Sequence, residues 1–402
     1  MRKFAAALVI IACVFTMLVA GGKKETKEPE KKDYSGYTIR IYSNSNSTER
    51  TTWLIAKAKA AGFTISIDDN SVISGDTAAV QAANEKKDGD VIFGLNETRW
   101  GQLINGQYEN IKLVDYVPSW GGDVGDFKFD RKAYGLVIQN VLMLYRTDAL
   151  GTNGKTLHFK HWTDVADSGY TWYRQGKVGG TTNANINNSM LYPYTDPNSP
   201  AGGISIEGWK KLWKYCENGV FTGDSYGFDP LNRGDVQVAT FYSSSLYGKI
   251  DAAADGSKNP ITADNWKLVD IDDGTYYIAE YIGIVDKAGR TAEQTDAVKA
   301  FVDWFGGAEL QAAWSEEFDS YPCNEKASAI VYDEVPVIYT IKNFALNTVP
   351  GTNMNYASYV AAHNAEWTNI MTNLGFYWAD ASKAVPEPDW DNLDWSTLTQ
   401  KK

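Results

Sequence analysis

The sequence predicts an α/β protein of two lobes joined by a hinge with two strand crossings. Three observations predict it. Residues 37–67 read as a β-α-β unit, followed by a third apolar strand at Asp90 to Leu95. A second, smaller α/β portion ends in a strand at Val236 to Phe241. Two long apolar stretches, Tyr134 to Tyr145 and Tyr276 to Val285, separate the portions. With the last part of the chain returning to the first unit, residues 36–138 plus 276–402 form lobe 1 and residues 139–275 form lobe 2. In open α/β sheets the ligand crevice lies beyond the carboxyl ends of the strands. Two such lobes face each other across a hinged cleft.

Each element has its own signal. Tyr37 to Tyr42 alternates as a strand, and the polar loop Ser43 to Ser47 ends in a helix N-cap at Ser47. Trp53 to Phe63 reads as a helix, Thr64 to Ile67 as a strand, and Thr77 to Glu85 as a second helix. The near-continuous apolarity of Asp-Val-Ile-Phe-Gly-Leu at 90–95 suits a parallel strand buried on both faces. Asn96 caps the next helix, which carries Trp100, Leu103 and Ile104 on one side. Tyr134 to Tyr145 is long for one flat strand and is expected to bend. Trp162 to Asp167 reads as a short helix, and Thr181-Thr182-Asn183 as a strand running into a polar loop. Ile206, Trp209, Leu212, Trp213 and Cys216 follow helical spacing, with Gly219 as the stop. Val298, Phe301, Val302 and Phe305 mark a helix ended by Gly306-Gly307. Tyr356 to Leu374 marks a long C-terminal helix, and the tail from Val385 is expected to drape over the surface.

Residues 1–20 read as an export signal: Arg2 and Lys3, then the apolar run Phe4 to Val19, then a small-residue exit. The run is short for a membrane span. Leu18-Val19-Ala20 is similar to the end of a lipoprotein signal, but Gly21 stands where the lipidated Cys belongs. Residues 21–35, rich in Lys, Glu and Pro, are expected to be a disordered tether. Taking Arg2 and Lys3 from the 38 basic residues leaves 36 against 50 acidic, a balance of −14. That argues against nucleic acid as a partner. The two cysteines beyond the signal, Cys216 and Cys323, make no disulfide framework. HExxH, GxSxG and phosphate-binding glycine-loop patterns do not occur. Asp270 to Gly274 fails the spacing of a calcium loop.

Segments spread over roughly 300 residues carry a resemblance. They are Asp90 to Asn96, the crossing Tyr134 to Asp148, the helix Ala297 to Gly307, and Glu309 to Asn324 with its Tyr321-Pro322 turn. In order and spacing the chain resembles the substrate-binding proteins of bacterial ABC importers. The matching group has the type 2 periplasmic-binding-protein fold and takes up thiamine, ferric iron, polyamines and phosphonates. Val236 to Tyr247 looks most like the thiamine binders, where a Tyr followed by small hydroxyl residues faces the cleft. The pocket departs from that pattern at Asp319, at Gly75-Asp76 and at Asp224-Ser225-Tyr226. Iron-binding members place two adjacent tyrosines where this chain has Tyr242-Ser243. The resemblance implies a periplasmic or cell-surface monomer. It captures a small organic solute, thiamine-like first, and delivers it to a membrane permease. It implies no cofactor, no metal and no catalytic residue. A binding protein for a polyamine or phosphonate, or an exported enzyme acting on a small molecule or glycan, is the alternative.

The candidate ligand residues follow from the strand ends. Asn44, Ser45 and Asn46 follow the first strand, and Asn96 and Glu97 follow the third. Tyr242, Ser243 and Ser244 end the strand at 236–241. Thr181 and Thr182 offer hydroxyls for an anionic group beside a helix N-terminus. Trp172 offers a ring for a flat or cationic ligand. Tyr276 and Tyr277 lie at the second crossing, where alternation lets only one face the cleft, and Tyr277 is the candidate.

Overall fold

The computed structural model describes residues 32–148, 150, 156–173, 181–219, 231, 234–242, 266–273, 277–318, 320–332, 350–376 and 385–401. The first unit is β1 (Tyr34–Ser43), α1 (Thr48–Ala60), β2 (Phe63–Ile67), α2 (Asp76–Lys86), β3 (Val91–Leu95) and α3 (Glu97–Ile104). β4 (Lys128–Phe129) leads into the long β5 (Ala133–Arg146). The second unit holds β6 (His158–Phe159), a 3-10 turn (Trp162–Asp167), β7 (Trp172–Tyr173), α4 (Thr181–Leu191), α5 (Ile206–Asn218) and β8 (Val238–Tyr242). β9 (Trp266–Leu268), β10 (Asp270–Ile271) and β11 (Tyr277–Ile284) lead back. α6 (Ala292–Phe305), α7 (Ala308–Phe318), β12 (Tyr321–Pro322), α8 (Glu325–Tyr332), α9 (Pro350–Asn373) and α10 (Trp395–Leu398) complete the described chain.

Strand order is β2-β1-β3-β11-β5-β8-β7, with β12, β4 and β9 also pairing with β5. β1 is parallel to β2 and β3, whereas β11 runs antiparallel to β3 and β5. β3 is buried throughout, as its unbroken apolarity requires. β5 stays one strand but changes partners in its middle. Tyr134 to Asn140 pairs with β11, while Val141 to Tyr145 pairs with β8. The crossing expected to bend is thus a strand shared by both units. Its alternation also divides two cores: Leu142 and Leu144 join the first, Met143 and Tyr145 the second.

Three expectations are corrected. The tether does not extend to residue 35. β1 begins at Tyr34, whose ring stacks on Phe63 at 5.5 Å, and Lys32 pairs with Asp296. The C-terminal part does not return wholly to the first unit. Val360, Trp367, Ile370 and Met371 of α9 are buried in the second core with Trp209 and Leu212. The tail does not merely drape. Trp390 and Trp395 are buried, and Trp390 meets Trp213 edge-on at 6.0 Å. Large rings exclude enough apolar surface, about 2–3 kcal/mol each, to pin an otherwise irregular segment.

Thr181-Thr182-Asn183 is likewise not a strand but the first turn of α4. The segment is rich in Asn and Thr, weak helix formers, and tertiary contact overrides local preference. Asn188 donates to Asn364 Oδ1 of α9 at 3.1 Å, and Ile186, Met190 and Leu191 lie in the second core. Cys216 and Cys323 are buried thiols outside any disulfide. His158 and His161 serve separate aspartates, Asp272 at 2.7 Å and Asp273 at 2.9 Å. Residues 1–31 lie outside the described residues, and with them the expected signal. Among the described residues no helix is long and apolar enough to cross a membrane.

Candidate functional site

β1 and β3 are parallel neighbours, so their carboxyl ends share one edge of the sheet. β1 is followed by the loop Asn44 to Ser47 and β3 by the N-terminus of α3. Gly94 lets them approach. It holds φ +73°, and a Cβ there would stand 2.7 Å from the Ser45 Cβ and 2.8 Å from the Ser43 Oγ. A side chain at 94 would therefore push the first loop away.

The first loop is held by its own polar groups. Ser47 caps α1 by accepting from the Arg50 N–H. Asn46 is buried, and its Nδ2 donates to the carbonyls of Asp68 and Ile73, both at 2.8 Å. Its Oδ1 is buried without a partner. Asn44 is half-buried. Ser45 is buried, and its hydroxyl donates to Glu280 Oε2 at 2.5 Å.

Asn96 caps α3 by accepting from the Arg99 N–H at 3.2 Å. Glu97 is buried, and its carboxylate accepts from the Ala279 N–H at 2.5 Å. β11 runs on past the end of β3 at this point, since Tyr281 registers with Leu95. Glu97 supplies the acceptor that β3 no longer offers. Its position is that expected of a ligand residue, while its carboxylate already holds the sheet.

Two carboxylates that sequence reasoning passed over as ligand residues complete this face. Asp76 opens α2, is 2% exposed, and has an Oδ1 without any hydrogen-bond partner. Glu280 lies on β11 opposite Val137. Desolvation pushes Asp76 up to about 7, with Arg99 pulling it down and Glu280 pushing it further up. Raising a carboxylic acid that far from 3.8 is worth about 4 kcal/mol in favour of the neutral form. The N-terminus of α2 returns only about 0.3–1 kcal/mol to the charged form, so burial decides. Glu280 is also raised by burial, against the opposing pull of Arg50 and the Ser45 hydroxyl.

The two guanidiniums nearby are engaged elsewhere. Arg50 donates to Ser45 Oγ at 3.3 Å and lies 5.5 Å over the Phe318 ring. Arg99 donates to Thr77 Oγ1 at 2.5 Å and Gln102 Oε1 at 2.7 Å. Among the described residues no ion pair joins either of them to Asp76 or Glu280. A signal for Glu280 exists in the sequence: it is the one charge in the apolar run Tyr277–Ile284. Asp76 carries no comparable signal, because acidic residues are common in the first turn of a helix.

The other candidates divide. Trp172 is a core residue: it is buried, its indole donates to the Tyr215 carbonyl at 3.2 Å, and its ring stacks on Tyr215. Its ring and its N–H are both engaged within the second core. Tyr242 ends β8 opposite Val141, and Tyr277 opens β11 opposite Asn140. The backbones of both therefore register to the midpoint of β5, where the chain passes between units. Thr181 and Thr182 sit in the first turn of α4. Ser243 and Ser244 lie outside the described residues. Among the described residues no group of three or more His, Cys, Asp or Glu is arranged to hold a metal ion.

Comparison with known proteins now bears on this geometry. The family described as bacterial extracellular solute-binding protein matches residues 55–337, well over half of the chain. The chain belongs to that family. The resemblance read from the sequence is borne out, as is the two-lobed α/β fold. A probable ABC transporter periplasmic-binding protein of Sinorhizobium fredii is 26% identical over 333 residues, covering 81% of this chain and 80% of the relative. Among solved structures, apo ferric ion-binding protein A of Pasteurella haemolytica superposes with a TM-score of 0.59 at 15% identity, covering 86% of this chain and 99% of that one. An ABC transporter solute-binding protein of Agrobacterium radiobacter, in complex with ribitol, gives 0.55 at 14%, covering 84% and 96%. At such identities these structures establish the fold of this solute-binding protein and not its ligand.

Proposed function

We propose that this solute-binding protein is the extracytoplasmic substrate-binding component of an ABC importer. It captures a small organic solute between its lobes and hands it to a membrane permease. Thiamine-like solutes are the first candidates, with polyamines and phosphonates next. The observation that carries the reading is the shared carboxyl edge of β1 and β3, where Ser45 bonds Glu280 beside the strand that passes between units and Asp76 feels the charge of Glu280. Closure of the lobes is driven by whatever the ligand gains in the closed state over the open one. The protein works as a monomer and binds without turning its ligand over.

Native mass spectrometry of protein purified from its own host tests this. A small co-purified mass, lost on denaturation, is expected. Tryptophan fluorescence against thiamine, its phosphates, ferric citrate, spermidine and aminophosphonates gives the affinity. Conversion of any of these into product would contradict the reading. Tyr242→Ala is expected to weaken binding at least about tenfold if its ring stacks on the ligand. Unchanged affinity would remove Tyr242 from the site.

A further inference from the structure

Two carboxylates on one face stand out because their needs are not met among the described residues. Asp76 Oδ1 is buried with no donor. Glu280 has one donor, the Ser45 hydroxyl, for a carboxylate in a strongly desolvated position. Glu97 is buried on the adjoining helix, its carboxylate accepting from Ala279. Arg50 and Arg99 are the nearby cations. Among the described residues neither guanidinium forms an ion pair with Asp76 or Glu280. Buried acceptors without donors are rare in folded proteins, because each costs its full desolvation penalty. A ligand that brings both a proton donor and a positive charge would satisfy both deficits at once.

We propose that Asp76 and Glu280 form a seat for a protonated amine, so that the solute is an N–H-bearing organic cation. The inference rests on the binding-protein reading and adds the chemical class of its ligand. A quaternary nitrogen brings charge but no hydrogen-bond donor to Asp76 Oδ1. A neutral polyol brings donors but leaves both carboxylates without an ion-pair partner. A ferric ion requires several converging oxygen or nitrogen ligands, which the described part of this face does not offer. Amidinium and guanidinium groups share the required chemistry with ammonium.

Further consequences follow from the raised proton affinity of the empty seat. Asp76 is pushed up to about 7 by burial, is pulled down by Arg99 of α3, and is pushed up by Glu280 of β11. Glu280 in turn faces Arg50 of α1 and the hydroxyl of Ser45. The arrival of a cation favours the ionised seat, so binding releases a proton. Affinity then rises with pH up to about 7 and levels off above it.

The test is a thermal-shift and calorimetric panel on the full mature chain. It contains putrescine, spermidine, agmatine and lysine as N–H cations, choline as a quaternary cation, ribitol as a polyol, and ferric citrate. At least one of the N–H cations is expected to bind. Its affinity is expected to fall about 100-fold or more in Asp76→Asn, which keeps the side-chain shape. Glu280→Gln, a second near-isosteric change, guards against a folding failure of the first and is expected to show a loss of the same sign. Absence of binding by every N–H cation overturns the inference. So does an N–H cation whose affinity is unchanged in both variants. Binding of choline, ribitol or ferric citrate in their place overturns it too, yet leaves the binding-protein reading standing.

Discussion

Asp76 and Asp90 are both buried carboxylates flanking the same sheet, and the protein treats them in opposite ways. Asp90 sits just before β3 and is fully enclosed. It accepts from the Tyr37 hydroxyl at 2.7 Å, the Arg40 N–H at 2.9 Å, Arg290 Nη2 at 2.8 Å and Lys287 Nζ at 3.3 Å. Arg290 also ties the Val285 carbonyl, where β11 ends. Asp76 stands beyond the other end of the strands, buried almost as deeply, and its Oδ1 accepts from nothing. Satisfied and unsatisfied acids of the same type show where the molecule invests in its own stability. The amino end of the parallel strands is closed by protein, whereas the carboxyl end holds a buried acceptor without a donor, where we propose that the ligand binds.

The comparison can be broken most severely at Asp90. Asp90→Ala strands the Arg290 guanidinium, which is 5% exposed, beside Lys287. Removing one partner of a buried ion pair is expected to cost about 3–5 kcal/mol in urea unfolding. Asp76→Asn is expected to do the reverse in the ligand-free protein. The folded Asp76 holds its proton to about pH 7, against 3.8 for the reference group. Its contribution to stability is therefore fully present below about 4 and is lost as pH rises through 7. Asparagine abolishes that loss, so the variant gains nothing at pH 4. It gains on the order of 2–4 kcal/mol at pH 8, read from the difference between the two urea-unfolding curves. Equal destabilisation by both substitutions would erase the distinction between the two ends. The smallest effect is expected at Ser45. Ser45→Ala removes the donor to Glu280, costs about 1–2 kcal/mol, and costs more with Glu280 ionised than with it protonated, so the cost grows with rising pH. Adding Glu280→Gln should flatten that pH dependence.

Much of the frame was readable from residue pattern. The β-α-β start, the unbroken apolarity of β3 and the two long strands all carry periodicity that burial imposes. Ser47 and Asn96 were readable as caps because capping chemistry is local. Failures occurred where distant contacts outweigh local preference. Nothing in Thr181-Thr182-Asn183 announces that α9 will hold it as a helix. Nothing near Trp390 announces that Trp213 lies under it. The site divides in the same way. Ser45 and Glu97 were singled out from their place after strands, and Glu97 holds the Ala279 amide. Asp76 and Glu280, the proposed seat, were not picked out because they come to one face only when α2 and β11 are brought together in space. A charge inside an apolar strand, as at Glu280, is the signal that deserved weight.

One measurement bears most directly on the claim that the seat awaits a positive donor. It is calorimetric titration of the unmodified protein near pH 6.5 with an N–H cation that binds, repeated in buffers of different ionisation enthalpy. The account predicts a binding enthalpy that varies with buffer in the sense of proton release, because a seat holding a proton up to about pH 7 must give it up to the cation. A buffer-independent enthalpy, or proton uptake, would contradict it.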